Sequence, residues 1–444
     1  MNEIRIPAPQ WEDVATPALL EQKETCMSFF TRTGFGGRAL SVLAERAPAG
    51  AYLRRTDVAA ELAPAYLVEL TARARRMGAG LVMAHTHPFD HGMPEFSDVD
   101  NAGEEPLRAF LEARLPTQPH AAMVISQGGV RARVLGGAAA VKVVRVGAEV
   151  RTLFDPDLSA SSFSHDVYDR QVRAFGRAGQ TAIASTEVAL VGLGGTGSVV
   201  AQELAHLGVR RFLLIDPDKL ETSNRNRVFG AQPELIGRHK VEIAAENILK
   251  VNPQAQIETR VEDVLTRAAA DRLAESDFIF LCTDSHASRA MVSQLAYQHL
   301  VPAIDMGVSI GVGDAGEVRE ITGRAQMLAP GLGCLLCAGA ISSEVVRIEM
   351  MTEVQRAQDP YFRGQGEPQP AVVSLNATMS SLAVSMFMGA VTSAPFRARY
   401  QWYDGVTGRL RTPTVGRNPG CLVCSSSGVI GHGPSATNPL RGAR

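Results

Sequence analysis

The spacing of hydrophobic and polar positions changes character near residue 187. Upstream, from about 24 to 145, short apolar runs ("AYLVEL", "GLVMAHTH", "HAAMVIS", "RARVLGG", "VKVVRVG") mix with an Ala/Arg/Leu-rich helical stretch. That mixture predicts a small α/β unit rich in strands. Downstream the order becomes strand, glycine turn, helix, strand, in "EVALVGLGG", "TGSVVAQELAHLGV" and "RRFLLIDPD", with further strands "DFIFLCTD" and "VPAIDMGV" behind helical segments. Such alternation predicts right-handed crossovers and a doubly wound, mostly parallel sheet. Between the two patterns, "RTLFDPDLSASSFS" at 151–164 is Ser-rich and aperiodic, which predicts a linker. The tail "VIGHGPSATNPLRGAR" predicts disorder, so the expected division is 1–150, 165–428 and a loose 429–444.

A chain of 444 residues with 45% hydrophobic and 20% charged residues has ample material for more than one core. Its net charge of −2 gives no electrostatic reason to expect nucleic acid or an anionic membrane as partner. The opening "MNEIRIPAPQWEDV" carries acids and prolines where a signal peptide needs a basic start and an apolar run, so a cytoplasmic protein is expected. "VVSLNATMSSLAVSMFMGAV" is interrupted by Asn376 and repeated Ser/Thr, and reads as a buried helix rather than a membrane span.

Three groups of residues carry candidate chemistry. In the first, "HTHPFDHGMPEFSDVD" at 85–100, His85 and His87 stand two apart after an apolar run, so both imidazoles reach one side of a strand or its exit. With Asp100 they make three ligands for a zinc ion and leave a fourth position for water, as hydrolysis requires. Glu24 is the candidate base outside the metal shell, and Ser97 the candidate donor to a developing oxyanion. Nine residues separate His87 from Ser97, and His91 and Glu95 in that loop compete as neighbours of the metal.

The second group begins with "GLGGTGS" at 192–198, behind a strand and opening a helix, where backbone amides and the helix N-terminus hold phosphate. The spacing fits NAD enzymes as well as others, which keeps an NAD-dependent oxidoreductase among the readings. Asp216 ends the next strand, placed to grip ribose hydroxyls. "ETSNRNR", "GRHK" and "CTDS" then add more charge than hydride transfer needs. Arg and Lys beside a triphosphate stabilise charge developing in adenylyl transfer, and an Asp there holds magnesium.

The third group is two Cys-x-x-Cys pairs, Cys334/Cys337 and Cys421/Cys424, separated by 83 residues. Four thiolates close a tetrahedral shell, the arrangement of a structural zinc, with redox-active dithiols as the rival reading. Cys26 and Cys282 read as core packing.

The first group resembles the JAB/MPN (JAMM) metalloprotease family: a distant Glu (Glu24), His-x-His-Pro ("HTHP", 85–88), then Ser-x-x-Asp ("SDVD", 97–100). Its loop is longer than is usual there. The resemblance implies zinc-dependent cleavage of peptide or isopeptide bonds after a ubiquitin-like C-terminus. Residues from about 165 to 424 resemble the ThiF/ubiquitin-activating adenylating enzymes, which act on ubiquitin-like and sulfur-carrier proteins. That resemblance implies a Rossmann-like domain with Gly192, Gly194, Gly195 and Gly197 as the nucleotide loop, and Asp216 on the ribose of ATP. It further implies Asn224, Arg227 and Lys240 on the phosphates, Asp284 on Mg2+, and zinc between the two cysteine pairs. Arg170 in "YDRQ" would reach a partner subunit's site, which implies a homodimer. Family members that carry substrate as a thioester use a cysteine beyond the first pair, and 338–420 contains none. Ser374 lies in that region, as an oxyester site or a helix-capping serine. The combined expectation is a peptidase fused to an activating enzyme, of the kind found in bacterial ubiquitin-like conjugation, with a conjugating enzyme as a further partner. The alternative is a binding scaffold for such a protein with only the adenylating domain active.

Overall fold

In a computed structural model, residues 1–157, 165–313, 315–352, 355 and 370–441 are described. The chain divides into two compact units. Unit 1 comprises Met1–Ser159, Gln298–Leu300 and Val429–Thr437, and unit 2 the remainder.

Unit 1 runs β1 (Glu3–Pro7), α1 (Ala8–Ala18), β2 (Cys26–Thr33), β3 (Arg38–Arg46), β4 (Tyr52–Arg55), β5 (Ala60–Leu62), α2 (Pro64–Met77) and β6 (Gly80–Thr86). It continues with α3 (Asp98–Arg114), β7 (Ala121–Ser126), β8 (Gly129–Val134), β9 (Lys142–Val146) and β10 (Val150–Phe154). Eight strands form a mixed sheet ordered β10-β9-β1-β3-β2-β6-β7-β8, and β4-β5 is a separate hairpin. Side chains alternate across a strand, so β2 serves both faces. Phe29 packs in one core with Trp11, Val14 and Ala18 of α1, and Phe30 in another with Leu70 of α2 and Leu111 of α3.

The expected linker at 151–164 begins too early, because Val150–Phe154 pairs antiparallel with β9. Residues 158–164 lie outside the described residues. The tail expected to be disordered is held in place through 441. Gln298 donates from Nε2 to the carbonyls of Gly433 (2.7 Å) and Ala436 (2.9 Å), and Leu440 is buried. Its glycines, prolines and serines lack any period, yet fixed partners satisfy its backbone one group at a time.

Unit 2 runs α4 (His165–Ser185), β11 (Glu187–Val191), α5 (Gly197–Leu207), β12 (Arg211–Ile215), α6 (Lys240–Val251), β13 (Gln256–Arg260), α7 (Arg267–Leu273), β14 (Phe278–Leu281), α8 (His286–Gln298) and β15 (Ala303–Val312). After these come β16 (Val318–Leu328), α9 (Ser343–Met350), α10 (Val373–Val391), β17 (Tyr400–Asp404) and β18 (Arg409–Arg411). The sheet order is β13-β12-β11-β14-β15-β16-β17-β18. β13 to β15 are parallel and the last three strands antiparallel, which gives the expected mostly parallel Rossmann-like core an antiparallel extension. The chain winds outward from β11 to β13 and then returns to the other side at β14. Crevices at the carboxyl ends of strands form at such a switch. α10 is long and apolar enough to cross a membrane, but its Phe387 is fully buried against Phe278, with ring centres 4.9 Å apart. It is a core helix here, as its sequence predicted.

One titration follows from the core of unit 1. His299 stacks on Phe35 with ring centres 5.4 Å apart, and burial, then the guanidiniums of Arg38 and Arg5, push its imidazole from 6.5 down to about 4. Below pH 6.5 the unfolded chain binds a proton there that the folded chain refuses. Stability from His299 is therefore complete above that pH and falls as pH drops towards 4, by at most about 3 kcal/mol. Urea unfolding of wild type and His299→Gln at pH 7 and pH 4.5 is expected to give a smaller loss on acidification in the variant.

Candidate functional site

In unit 1 the end of β6 and the start of α3 meet. His85 is in β6 and His87 follows its last residue, and their Nε2 atoms face each other at 3.2 Å. Asp100 brings Oδ1 to 3.0 Å from His85 Nε2 and Oδ2 to 3.7 Å from His87 Nε2. The three donor atoms lie within 4.8 Å of one another, close enough to share one ion. Two imidazoles and a carboxylate suit zinc. Ser97 caps α3 and forms a capping box with Asp100. Its N–H and Oγ–H both donate to Asp100 Oδ2, at 2.7 and 2.8 Å, and its Oγ accepts from Asp100 N–H. Burial raises the Asp100 carboxyl, but the histidines and the Ser97 amide outweigh it and hold the group well below the usual carboxylate range.

Ser97 is thereby held beside the three donors, with its hydroxyl proton on Asp100. Neither His91 nor Glu95 joins the cluster. His91 Nδ1 lies 2.9 Å from Gln127 Oε1, and Glu95 pairs with Arg131 at 3.4 Å.

Glu24 precedes β2, with its N–H donating to Thr56 O (2.8 Å) and its carbonyl accepting from Arg55 Nε (2.9 Å). Its Oε1 is 3.9 Å from His87 Nε2, beside the ligand set and outside it. Burial pushes its carboxyl up against the opposing pull of His85 and His87. Such a group is suited to carry a proton. Cys26 is buried and its thiol pushed up to about 12, chiefly by desolvation, which makes it core packing as expected.

In unit 2 the turn from β11 to α5 needs glycine at several positions for a steric reason. A Cβ on Gly197 would fall 1.9 Å from Gly192 O, one on Gly195 would fall 2.2 Å from Asn376 Nδ2, and Gly192 has φ +89°. At Gly194 a Cβ would meet nothing within 4 Å, so the cradle is open there. Asp216 is buried at the end of β12. Its Oδ2 accepts from Leu193 N–H at 2.6 Å and its Oδ1 from Asp218 N–H at 2.8 Å. Each oxygen keeps a second lone pair for a hydroxyl. Burial raises its carboxyl, and the ammonium of Lys240 opposes that most strongly.

Lys240 opens α6 and pairs through Nζ with Asp218 Oδ2 at 2.7 Å. Arg227 Cδ lies 3.4 Å from the position a Gly195 Cβ would take, and its guanidinium donates to Ser223 O. Asn224 is buried beneath this segment. Beyond β14, Thr283 packs against Gly192, which brings the exposed Asp284 to the rim of the same cradle. The residues predicted for one nucleotide site are therefore gathered at the carboxyl ends of β11, β12 and β14. Arg170 lies exposed in the first half of α4, while neighbouring Gln171 donates to His206 O. Ser374 is exposed in the first turn of α10.

The four cysteines meet although their pairs are far apart in the chain. Cys334 and Cys421 are 3.5 Å apart, as are Cys337 and Cys424, and all four Sγ atoms lie within 4.8 Å. That separation is too long for a disulfide and fits a shared ion. The thiols bond to one another, so that hydrogen bonding from Cys334 foremost lowers Cys424 while Cys334 and Cys337 are raised.

The sequence model of the ThiF family matches residues 168–423. The chain belongs to the ThiF family. Molybdopterin-synthase adenylyltransferase of Escherichia coli K12 is 29% identical over 260 residues, covering 58% of this chain and 95% of that protein. The sulfur carrier protein ThiS adenylyltransferase of the same organism is 26% identical, covering 56% and 90% respectively. Ubiquitin-like modifier-activating enzyme 5 of Drosophila willistoni is 31% identical over 164 residues, covering 34% of this chain and 38% of that protein. The chain therefore spans well under half of that last relative's length.

The ThiF-family domain also uses residues the sequence reading passed over. Asn376 of α10 touches Gly195, and Ser380 one turn later donates to Thr196 O at 3.0 Å. In the sequence Asn376 stands out only as an interruption of an apolar run. Its signal was that polarity, since a buried amide on an apolar helix must find a partner. The turn yields a paired prediction. Gly197→Ala is expected to destabilise the ThiF-family domain by about 2 kcal/mol, as overpacking does, whereas Gly194→Ala has room for its methyl and leaves the melting temperature near wild type. Thermal melts of the two variants make the check.

Proposed function

We propose that the chain is a bifunctional enzyme of ubiquitin-like or sulfur-carrier proteins. On this reading unit 1 cuts at the protein's C-terminal tail and the ThiF-family domain adenylates its terminal glycine. The observation that carries the second half is the gathering of Asp216, Arg227, Lys240 and the Asp284 loop around a glycine-rich turn, in a chain of this family. In that role the amides of Gly192, Gly194, Gly195 and Gly197 and the N-terminus of α5 hold the phosphates of ATP, and Asp216 accepts from the ribose. The cations of Arg227 and Lys240, with Asn224, hold the phosphates and stabilise charge as the glycine carboxylate attacks the α-phosphorus and pyrophosphate leaves. Asp284 offers a hard oxygen ligand for Mg2+, which would supply further charge neutralisation.

In unit 1, His85, His87 and Asp100 would hold a zinc ion, which supplies Lewis acidity to the scissile carbonyl. Glu24, raised by burial, takes a proton from water and passes it to the leaving amine. The product of that cleavage is a free carboxylate, the group an adenylating site consumes. Cys334, Cys337, Cys421 and Cys424 would hold a structural zinc in a reducing, cytoplasmic compartment. Arg170 would act in the site of a second copy of the chain.

In pyrophosphate exchange with a ubiquitin-like protein ending in glycine, Lys240→Ala is expected to lower the rate about 100-fold, the scale of one lost preorganised contact. An unchanged rate removes Lys240 from the chemistry. If Arg170 acts in trans, mixing Arg170→Ala with Lys240→Ala restores partial exchange that neither variant has alone.

For unit 1, Glu24→Gln is expected to abolish cleavage of a tail-extended precursor while metal stays bound, and retained cleavage would rule out Glu24 as the base. Metal analysis should find one ion lost with His85→Ala and another lost with Cys334→Ser. Loss with the cysteine variant alone would favour the scaffold reading, in which unit 1 binds its partner without cutting.

A further inference from the structure

Glu349, near the end of α9, reaches across to the chain that follows Asp284. Its Oε2 accepts from Ser285 Oγ–H and from Ala287 N–H, both at 2.7 Å, and its Oε1 accepts from His286 N–H at 3.2 Å. The first amides of a helix have no partner within it, and an anion there also meets the positive end of the helix dipole. Caps normally come from the residue just before the helix. Here Ser285, just before α8, accepts from Ser288 N–H at 3.2 Å, and Glu349 adds a carboxylate cap from 62 residues away in sequence.

A fourth bond holds the other end of α9 to the same turn, where Ser342 N–H donates to His286 Nδ1 at 3.0 Å. Arg441 braces the Glu349 end of α9 against Asp263, donating to the carbonyl of Glu349 at 3.2 Å and to Asp263 Oδ2 at 2.7 Å. Six residues on from Cys337, α9 is thus bracketed onto the first turn of α8. Two consequences follow. The N-terminus of α8 is occupied by a carboxylate, so nucleotide phosphates have the α5 N-terminus as their helix end. The backbone of 285–287 is also fixed directly beside Asp284, whose own side chain is exposed.

We propose that Glu349 is a positioning residue for adenylyl transfer, whose carboxylate cap on α8 holds Asp284 at the rim of the glycine cradle where it meets the magnesium of MgATP. The proposal rests on the adenylation reading and adds to it a residue more than 60 positions from Asp284 in the chain. Glu349 acts only through Ser285, His286 and Ala287. Its loss therefore weakens the magnesium-dependent part of nucleotide binding and spares the part contributed by Gly192 to Gly197, Asp216 and Lys240.

The test is calorimetric titration of the full-length chain with ATP, in excess EDTA and across a range of Mg2+ concentrations. Wild type is expected to gain affinity on adding Mg2+. Glu349→Ala is expected to bind ATP normally in EDTA and to need about tenfold more Mg2+ for the same gain, the range seen for outer-shell partners of metal ligands. Glu349→Gln keeps one acceptor oxygen and should fall between. Should Glu349→Ala not fold, Ser285→Ala removes one of the three bonds at its other end and shifts the Mg2+ requirement in the same direction. A wild type that binds no ATP overturns the adenylation reading and this proposal with it. ATP binding with a wild-type Mg2+ requirement in the variants overturns the proposal alone, and so does an equal loss of affinity with and without Mg2+.

Discussion

A Cβ on Gly197 would collide with the carbonyl oxygen of Gly192 at 1.9 Å, so β11 can turn into α5 as tightly as it does only with no side chain at that position. The rest of unit 2 is arranged on this closeness. Because the turn is tight, Leu193 N–H reaches Asp216 at the end of β12, Thr283 after β14 packs against Gly192, and Asn376 of α10 lies against Gly195. Three strands and a buried helix thereby deliver polar groups to one end of a sheet whose strands are otherwise apolar. The glycines are needed for shape first, and the open face at Gly194 follows from that shape.

Unit 1 solves a similar problem with charge in place of missing side chains. Asp100 is held in register by the capping box of α3, so the helix that covers one face of the sheet also sets a carboxylate against two imidazoles. The same economy appears at β1. Glu3 and Arg5 are buried in the middle of the sheet, and Glu3 lies between Arg5 and Arg38, 3.3 Å from the latter. Removing one partner of such a group would leave an uncompensated buried charge. In both places polar residues occupy positions that an apolar pattern would be expected to fill.

That substitution marks the limit of what the sequence made legible. The strand-turn-helix order, the parallel core, the buried α10 and the residues of both candidate sites could be read because each depends on a local period or a short motif. β1 was missed because "EIRIP" places charges at buried positions, and its pairing with β3 and β9 is non-local. β10 and the tail were missed because their order comes from partners elsewhere in the fold, such as Gln298 for Gly433 and Asp263 for Arg441. The hydrogen bonds from Ser97 to Asp100 were not legible for a related reason. A motif gives spacing, whereas the direction of a hydroxyl proton depends on which acceptor lies nearest. Asn376 and Glu349 belong to no motif read in the chain, and only the fold brings them to the residues they touch.

The carboxylates at the two sites differ in protonation behaviour because their surroundings differ, and this gives the proposed chemistry its physical basis. Asp100 is surrounded by donors, so it stays ionised and suits a ligand. Glu24, a few ångströms away, is dominated by burial and is raised, so it suits a group that gains and loses a proton. Asp216 is also raised by burial, yet both oxygens accept backbone N–H bonds and Lys240 lies near. It is therefore constrained in direction and suited to recognition. Asp284 is exposed, carried by a backbone that Glu349 ties down. A hard cation that keeps most of its water would suit an exposed carboxylate of that kind, and on the proposed reading the cap behind Asp284 sets where it stands.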